Sequence, residues 1–206
     1  WHDYLGRADA VSLADAAATA ALGRSHLVER VALVASNVDE ARAKLSAVAD
    51  GNDGPGIFRA RAPGGTSPEV VFLFTGQGAQ YSGMARRLYD TQPVFRESLD
   101  TCAALLSVHM ERPLLSVLFE ADAADTLNDT AYTQPALFAL EYALVAQWRH
   151  WGVEPNALIG HSVGDFAAAV TAGVLTMEDG ARLIAARARL MQALPTGGGM
   201  TAVQGD

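Results

Sequence analysis

Gly160-His161-Ser162-Val163-Gly164 offers a potential nucleophile with a glycine two positions away on each side. Ala157-Leu158-Ile159 before it reads as a short core strand, and the alanine-rich stretch after it, to Ala172, reads as a helix. A serine between a strand and a helix in this pattern marks a nucleophile elbow. The glycines matter because so sharp a turn leaves no room for a Cβ. Ser162 would then stand at the carboxyl end of the strand, where the N–H groups opening the next helix can stabilise a developing oxyanion. A strand–helix turn with a capping serine has the same spacing, so the motif alone leaves both readings open.

A serine nucleophile needs a base. The chain holds five histidines: His2, His26, His109, His150 and His161. His161 precedes the serine, and neighbouring side chains at an elbow diverge; a polar side chain bonded within the turn is the plainer reading. His150 ends a helix, where a cation suits the dipole. His109 and His2 read as solvent-facing, and His26 lies in the first block. None is a convincing base. A second candidate is Arg187, in a helix expected over 176–194. Leu183, Leu190, Met191 and Leu194 stand three, four or seven positions from it on one stripe, while Arg182 and Arg189 share another face. Arg187 is thereby expected among apolar residues, where an unpaired charge is costly. A structural ion pair, a snorkelling side chain or a bidentate clamp on a substrate carboxylate would each satisfy it.

These residues need a scaffold, and the pattern around them supplies one. Val70 to Phe74 is a continuous apolar run of strand length, as in a parallel strand buried on both faces. Helical segments are expected near 84–90, 93–107 and 134–150, the last apolar nearly all round and so buried. Thr176-Met177-Glu178-Asp179 caps the helix of Arg187, and Met200 to Val203 reads as a last strand. Ahead of this block, Ser12-Leu13-Ala14-Asp15 caps a helix to about Leu22. Val28 to Ala35 reads as a strand, and Asn37 caps a helix with the stripe Val38, Ala41, Leu45 and Val48. Residues 51–68 have loop composition, which sets a domain boundary there. Strands alternating with helices give an α/β class.

Composition narrows the function. The chain has 206 residues, 50% of them hydrophobic and 18% charged, which builds a packed core. A net charge of -8 argues against nucleic-acid binding. Any anionic substrate must be held by a local arginine. A lone Cys102 excludes an internal disulfide, and no cysteine–histidine cluster suggests a metal. No apolar run approaches the roughly 18 residues of a membrane span, and no signal peptide opens the chain, so a cytoplasmic setting is expected. Beginning at Trp1 and ending just after an apolar run, the sequence reads as a piece of something longer.

Phe72-Leu73-Phe74-Thr75-Gly76-Gln77-Gly78-Ala79-Gln80, then Tyr132-Thr133-Gln134-Pro135-Ala136-Leu137-Phe138, then the Gly160–Gly164 elbow and Arg187-Ala188-Arg189-Leu190-Met191-Gln192 follow one another in order. Together they resemble the acyltransferase domain of modular type I polyketide synthases and, more distantly, malonyl-CoA:acyl-carrier-protein transacylases. The resemblance implies an acyltransferase large subdomain over residues 67–206: an α/β-hydrolase-like parallel sheet flanked by helices, ending near the start of a ferredoxin-like small subdomain. Residues 1–66, with Leu22-Gly23-Arg24-Ser25-His26 and the strand from Arg30 to Ala35, look like the small α/β linker domain between ketosynthase and acyltransferase.

By the same resemblance Ser162 is the acylated nucleophile, and Gln77 and Val163 supply the oxyanion-hole N–H groups. Arg187 holds the free carboxylate of the extender unit, and Gln134 and His161 line the acyl pocket. A Gln134 amide bonded to nearby backbone is the plainer alternative. The family's catalytic histidine would lie beyond Asp206. The implied reaction passes an acyl group from acyl-CoA through Ser162 to the phosphopantetheine thiol of an acyl carrier protein, with no bound cofactor and no metal. The implied partners are malonyl-CoA, the carrier protein and an adjacent ketosynthase, with no nucleic acid or membrane. Asp129-Thr130-Ala131-Tyr132-Thr133-Gln134 and Val163 look like the malonyl type; a methylmalonyl type usually has valines at the positions of Tyr132 and Thr133. A methylmalonyl-specific enzyme, a serine hydrolase and an inactive scaffold fragment are the alternatives.

Overall fold

The structure, a computed structural model, describes residues 1–7, 9–62, 68–120, 124–195 and 203. It divides into two compact units, Trp1–Pro68 and Glu69–Asp206.

The first unit contains α1 (His2–Leu5), α2 (Leu13–Leu22), β1 (Glu29–Leu33), α3 (Val38–Ala49) and β2 (Ile57–Arg61). Both longer helices start on side-chain caps, which satisfy N–H groups that the first turn cannot. Ser12 Oγ accepts from the Asp15 N–H at 3.1 Å, and Asn37 Oδ1 accepts from the Glu40 N–H at 2.9 Å. β1 pairs antiparallel with β2, from Glu29 opposite Arg61 to Leu33 opposite Ile57. The strand β2 falls in the segment expected to be all loop. Gly54-Pro55-Gly56 dominates the composition there, and only Ile57 of the strand is even half-buried, so no alternation shows in the sequence. The buried centre is small, formed by Leu5, Ala16 and Ala41.

In the second unit β3 (Val71–Phe74) is followed by α4 (Arg86–Thr91), α5 (Pro93–Leu106), α6 (Leu114–Phe119), α7 (Ala124–Asn128) and α8 (Thr130–His150). Then come β4 (Ala157–Gly160), α9 (Gly164–Thr171) and α10 (Met177–Gln192). The sequence did not suggest the short α6 and α7. β3 and β4 are adjacent and parallel, in register from Val71 with Ala157 to Phe74 with Gly160. Their carboxyl ends therefore sit side by side, and both catalytic-looking turns leave from there. The expected strand at 200–203 lies outside the described residues apart from Val203, which is exposed.

The core gathers around α8, which packs against α5, α6, α7, α9 and α10. Thr133 through Ala139 are all buried, as a helix apolar on every side requires. The helix starts at Thr130, one turn earlier than expected, with Pro135 inside it. β3 departs from expectation more sharply. Phe74 is buried and Phe72 half-buried, but Val71, Leu73 and, on β4, Ile159 are exposed. Side chains alternate across a strand, and among the described residues the packed core lies on only one face of this pair.

Candidate active site

Ser162 has φ of 58°, one of two non-glycine residues in the left-handed region among those described. An L-residue there costs roughly 1–2 kcal/mol, which the surrounding turn must offset. The flanking glycines show how tightly it is held. A Cβ on Gly160 would lie 2.5 Å from the Asp165 main chain, and one on Gly164 would strike the Phe74 carbonyl. The His161 N–H donates to the Phe74 carbonyl oxygen at 3.0 Å, and the Gly164 N–H donates to that of His161 at 3.0 Å. These bonds clamp the elbow onto the end of β3, with α9 leaving at once from Gly164.

The turn after β3 lies against the elbow. Gly76 is buried, and a Cβ there would come within 2.6 Å of His161 Nδ1. Gln77 follows. Neither the Gln77 nor the Val163 N–H donates to an acceptor among the described residues, although Val163 is only 1% exposed. The Val163 N–H adjoins the serine in the chain and the Gln77 N–H follows the Gly76 contact with the elbow; free donors of this kind can stabilise a developing negative charge. The His161 side chain makes no hydrogen bond among the described residues, so the expected bond within the turn is not formed.

Arg187 reaches the nucleophile from α10. Its Nη2 donates to Ser162 Oγ at 3.0 Å, its Nη1 donates to Gln134 Oε1, and the guanidinium lies 5.8 Å from the Phe166 ring centre. Among the described residues it has no carboxylate partner, which removes the structural ion pair from the three readings of this charge. The stripe expected to surround it is a correction. Leu183, Leu190, Met191 and Leu194 are 42%, 66%, 41% and 64% exposed, whereas Gly180, Ala181, Ile184, Ala185 and Ala188 are buried. α10 turns its small residues inward because it packs close: a Cβ on Gly180 would meet Val170 Cγ2 at 2.5 Å and the Phe138 ring at 3.0 Å. Arg187 sits at the border of that face, half-buried, and not within an apolar stripe.

Gln134 is fully buried, and its partners are side chains, not the nearby backbone. Its Oε1 accepts from Arg187; its Nε2 donates to Thr130 Oγ1 at 2.9 Å and approaches Met191 Sδ at 3.3 Å. Thr130 Oγ1 in turn donates to Gln77 Oε1 at 2.6 Å. The donors thus run one way, from Arg187 through Gln134 and Thr130 to the Gln77 side chain. Sequence reasoning named Thr130 only within the malonyl-type segment and missed its bonds; their signal is the i, i+4 spacing to Gln134 once the helix is extended by a turn. It also missed Glu141, whose Oε1 accepts from the Thr75 N–H at 2.6 Å and the Thr75 hydroxyl at 2.7 Å. Burial pushes the Glu141 carboxyl above the ordinary carboxylate range, and Thr75 pulls it partly back.

None of the five histidines hydrogen-bonds to Ser162. His2 pairs with Asp3, and His26 Nε2 meets the Ala21 carbonyl oxygen at 2.8 Å. Cys102 is buried against Ala139, and burial pushes its thiol up to about 12, so it is not a nucleophile. No cluster of metal-ligating side chains occurs among the described residues, and none of their helices is long and apolar enough to cross a membrane.

A serine on a left-handed elbow at the end of a parallel strand, next to a main-chain N–H that no acceptor takes up among the described residues, is an arrangement that can support acyl transfer on an α/β scaffold. The chain belongs to the acyl transferase domain family, whose family model matches residues 71–206. A second family model, described as CurL-like, PKS C-terminal, matches residues 1–45. The chain is 45% identical over 181 residues to the phenolphthiocerol synthesis polyketide synthase type I Pks15/1 of Mycobacterium marinum, a match covering 88% of this chain and 8% of that synthase. It superposes on the acyl transferase domain of ZmaA with a TM-score of 0.83 at 35% identity, covering 95% of this chain and 45% of that structure. A malonyl-transacylase solved in complex with a type II PKS acyl-carrier protein matches at 34% identity and a TM-score of 0.54, over 62% of this chain and 40% of that one.

Proposed function

We propose that this chain carries the acyl-loading site of a modular polyketide synthase and that its extender unit is malonyl. The choice of malonyl over methylmalonyl rests on the segment Asp129-Thr130-Ala131-Tyr132-Thr133-Gln134 and on Val163. The observation that supports an extender unit with a free carboxylate most directly is the Arg187 fork. One arm is 3.0 Å from Ser162 Oγ, the other is fixed by Gln134, and neither meets a protein carboxylate among the described residues. In a malonyl ester of Ser162 the free carboxylate lies two carbon–carbon bonds beyond the ester carbonyl, within reach of that fork. A planar guanidinium pairs with a carboxylate through two parallel bonds.

The reaction has two displacements. Ser162 Oγ attacks the thioester carbonyl of malonyl-CoA, its proton passing to a base, and the coenzyme A thiolate leaves and is protonated. The thiol of a carrier protein's phosphopantetheine then attacks the ester and releases Ser162 by the reverse transfer. The Gln77 and Val163 N–H groups bind the oxyanion of each tetrahedral intermediate; one such donor is typically worth about 3 kcal/mol. No histidine of this chain bonds to Ser162, and in this reading the base is the histidine that the family resemblance places beyond Asp206. Residues 1–66 form the linker to an adjacent ketosynthase in this reading, and the setting is cytoplasmic.

The test is mass spectrometry of the full-length protein after mixing with malonyl-CoA. A stable malonyl adduct on Ser162, absent in Ser162→Ala, is expected, as is transfer to a carrier thiol faster than to water. Faster loading from methylmalonyl-CoA would overturn the substrate assignment, and release mainly to water would make the site a hydrolase.

A further inference from the structure

Glu141 is a buried carboxyl that the reaction above leaves without a task. It is 8% exposed, on α8, and its Oε2 is buried with no hydrogen-bond partner among the described residues. Such a group is costly to keep: an unpaired buried oxygen loses its hydration for nothing, and an apolar side chain of similar size would pack there at less expense. The other oxygen shows what it holds. Glu141 Oε1 takes both donors of Thr75, the main-chain N–H at 2.6 Å and the hydroxyl at 2.7 Å. Thr75 is the first residue after β3, and Gln77 is two residues further on.

The turn between them is fixed from the other side as well. Gly76 lies so close to His161 that a Cβ would come within 2.6 Å of the ring and 3.2 Å of the His161 carbonyl oxygen. Thr75-Gly76-Gln77 is therefore pressed against the elbow at its middle and tied to α8 at its start. No other side chain among the described residues bonds to the Thr75 N–H. Without that tie, the direction of the Gln77 N–H would rest on the Gly76 contact and the Thr130 bond to its side chain.

Resting on the reading of Ser162 as the acylated residue, we propose that Glu141 is a positioning residue for acyl transfer. By gripping the main chain and hydroxyl of Thr75 it aims the Gln77 N–H at the oxyanion. It touches neither substrate nor nucleophile, so its removal changes the height of the barrier and not the binding of malonyl-CoA.

The test compares acylation kinetics of wild type, Glu141→Gln, Glu141→Leu and Thr75→Val in the full-length protein. The Gln variant keeps a carbonyl oxygen that can accept both Thr75 bonds, whereas the Leu variant keeps none. Removing an oxyanion donor outright costs about 100- to 1,000-fold in kcat, so misaiming one in Glu141→Leu should cost about 10-fold or more, with KM within about 2-fold. Glu141→Gln should recover most of that loss. If Glu141→Leu does not fold, Thr75→Val carries the test, since it removes one of the two donors and must lower kcat at unchanged KM. Wild-type kcat in folded Glu141→Leu or in Thr75→Val, a loss confined to KM, or no recovery in Glu141→Gln overturns the proposal. A wild-type protein that is not acylated on Ser162 overturns the underlying reading instead, and this one with it.

Discussion

At the scale of single residues, the informative feature of Arg187 is the company it lacks. A half-buried guanidinium that among the described residues bonds only to an amide and a hydroxyl is incompletely neutralised, and an incoming carboxylate would complete it. Hydrogen bonds to charged groups contribute about 1.5–3 kcal/mol each. Arg187→Ala should therefore lower malonyl loading about 10- to 100-fold while leaving acetyl loading, which has no carboxylate to hold, nearly unchanged. Competing the two CoA esters for one enzyme measures the ratio; an unchanged ratio would leave the arginine with a packing role. Ser162, Gln134 and Arg187, each picked out in the sequence, meet in one bonded group. Glu141 could not be picked out, and Thr130 stood out only as part of the malonyl-type segment, not as a bonding partner of Gln134. Thr130 preceded the expected helix start, and Glu141 is one acid in an apolar helix whose partner lies 66 positions away in the chain. Such a partner becomes visible only when β3 and α8 are brought together.

Elements rather than residues carry the elbow. Gly164→Ala would push a methyl into the Phe74 carbonyl, and Gly160→Ala would place one 2.5 Å from the Asp165 main chain. Backbone cannot swing away as a side-chain tip can, so each substitution should lower unfolding stability by about 2–4 kcal/mol and abolish acylation. Urea unfolding together with adduct formation checks both; wild-type values for either variant would mean that the turn is looser than described. Elements with strong local signals were legible. The capped starts of α2, α3 and α10 and the continuous run of α8 were readable because caps and periodicity act within a few residues. The inward face of α10 is not legible, because its large apolar side chains suggest a buried stripe whereas alanines and a glycine form the face that lets two helices approach. β2 was missed because a strand exposed along most of its length leaves no alternation to read.

For the whole molecule, the open surface is the dominant fact. Val71, Leu73 and Ile159 on the sheet and Leu190 and Leu194 on α10 are exposed apolar side chains of the second unit. The chain spans 45% of the acyl transferase domain it superposes on. A polypeptide of residues 1–206 alone should therefore bind a hydrophobic dye or self-associate, and Leu73→Lys with Ile159→Lys should reduce both. A monodisperse polypeptide that binds no dye would show these side chains to be covered by each other. One arrangement within the second unit has a practical consequence. The groups that would make and break bonds stand on turns leaving β3 and β4, whose separation is set by main-chain pairing, whereas the groups that would grip the acyl group's far end stand on α8 and α10. Chemistry and choice are thus mounted on different hardware. A chimera that exchanges the first turns of α8 for those of a relative can alter which acyl group is accepted while the spacing of the reacting atoms, fixed by two paired strands, stays as it was.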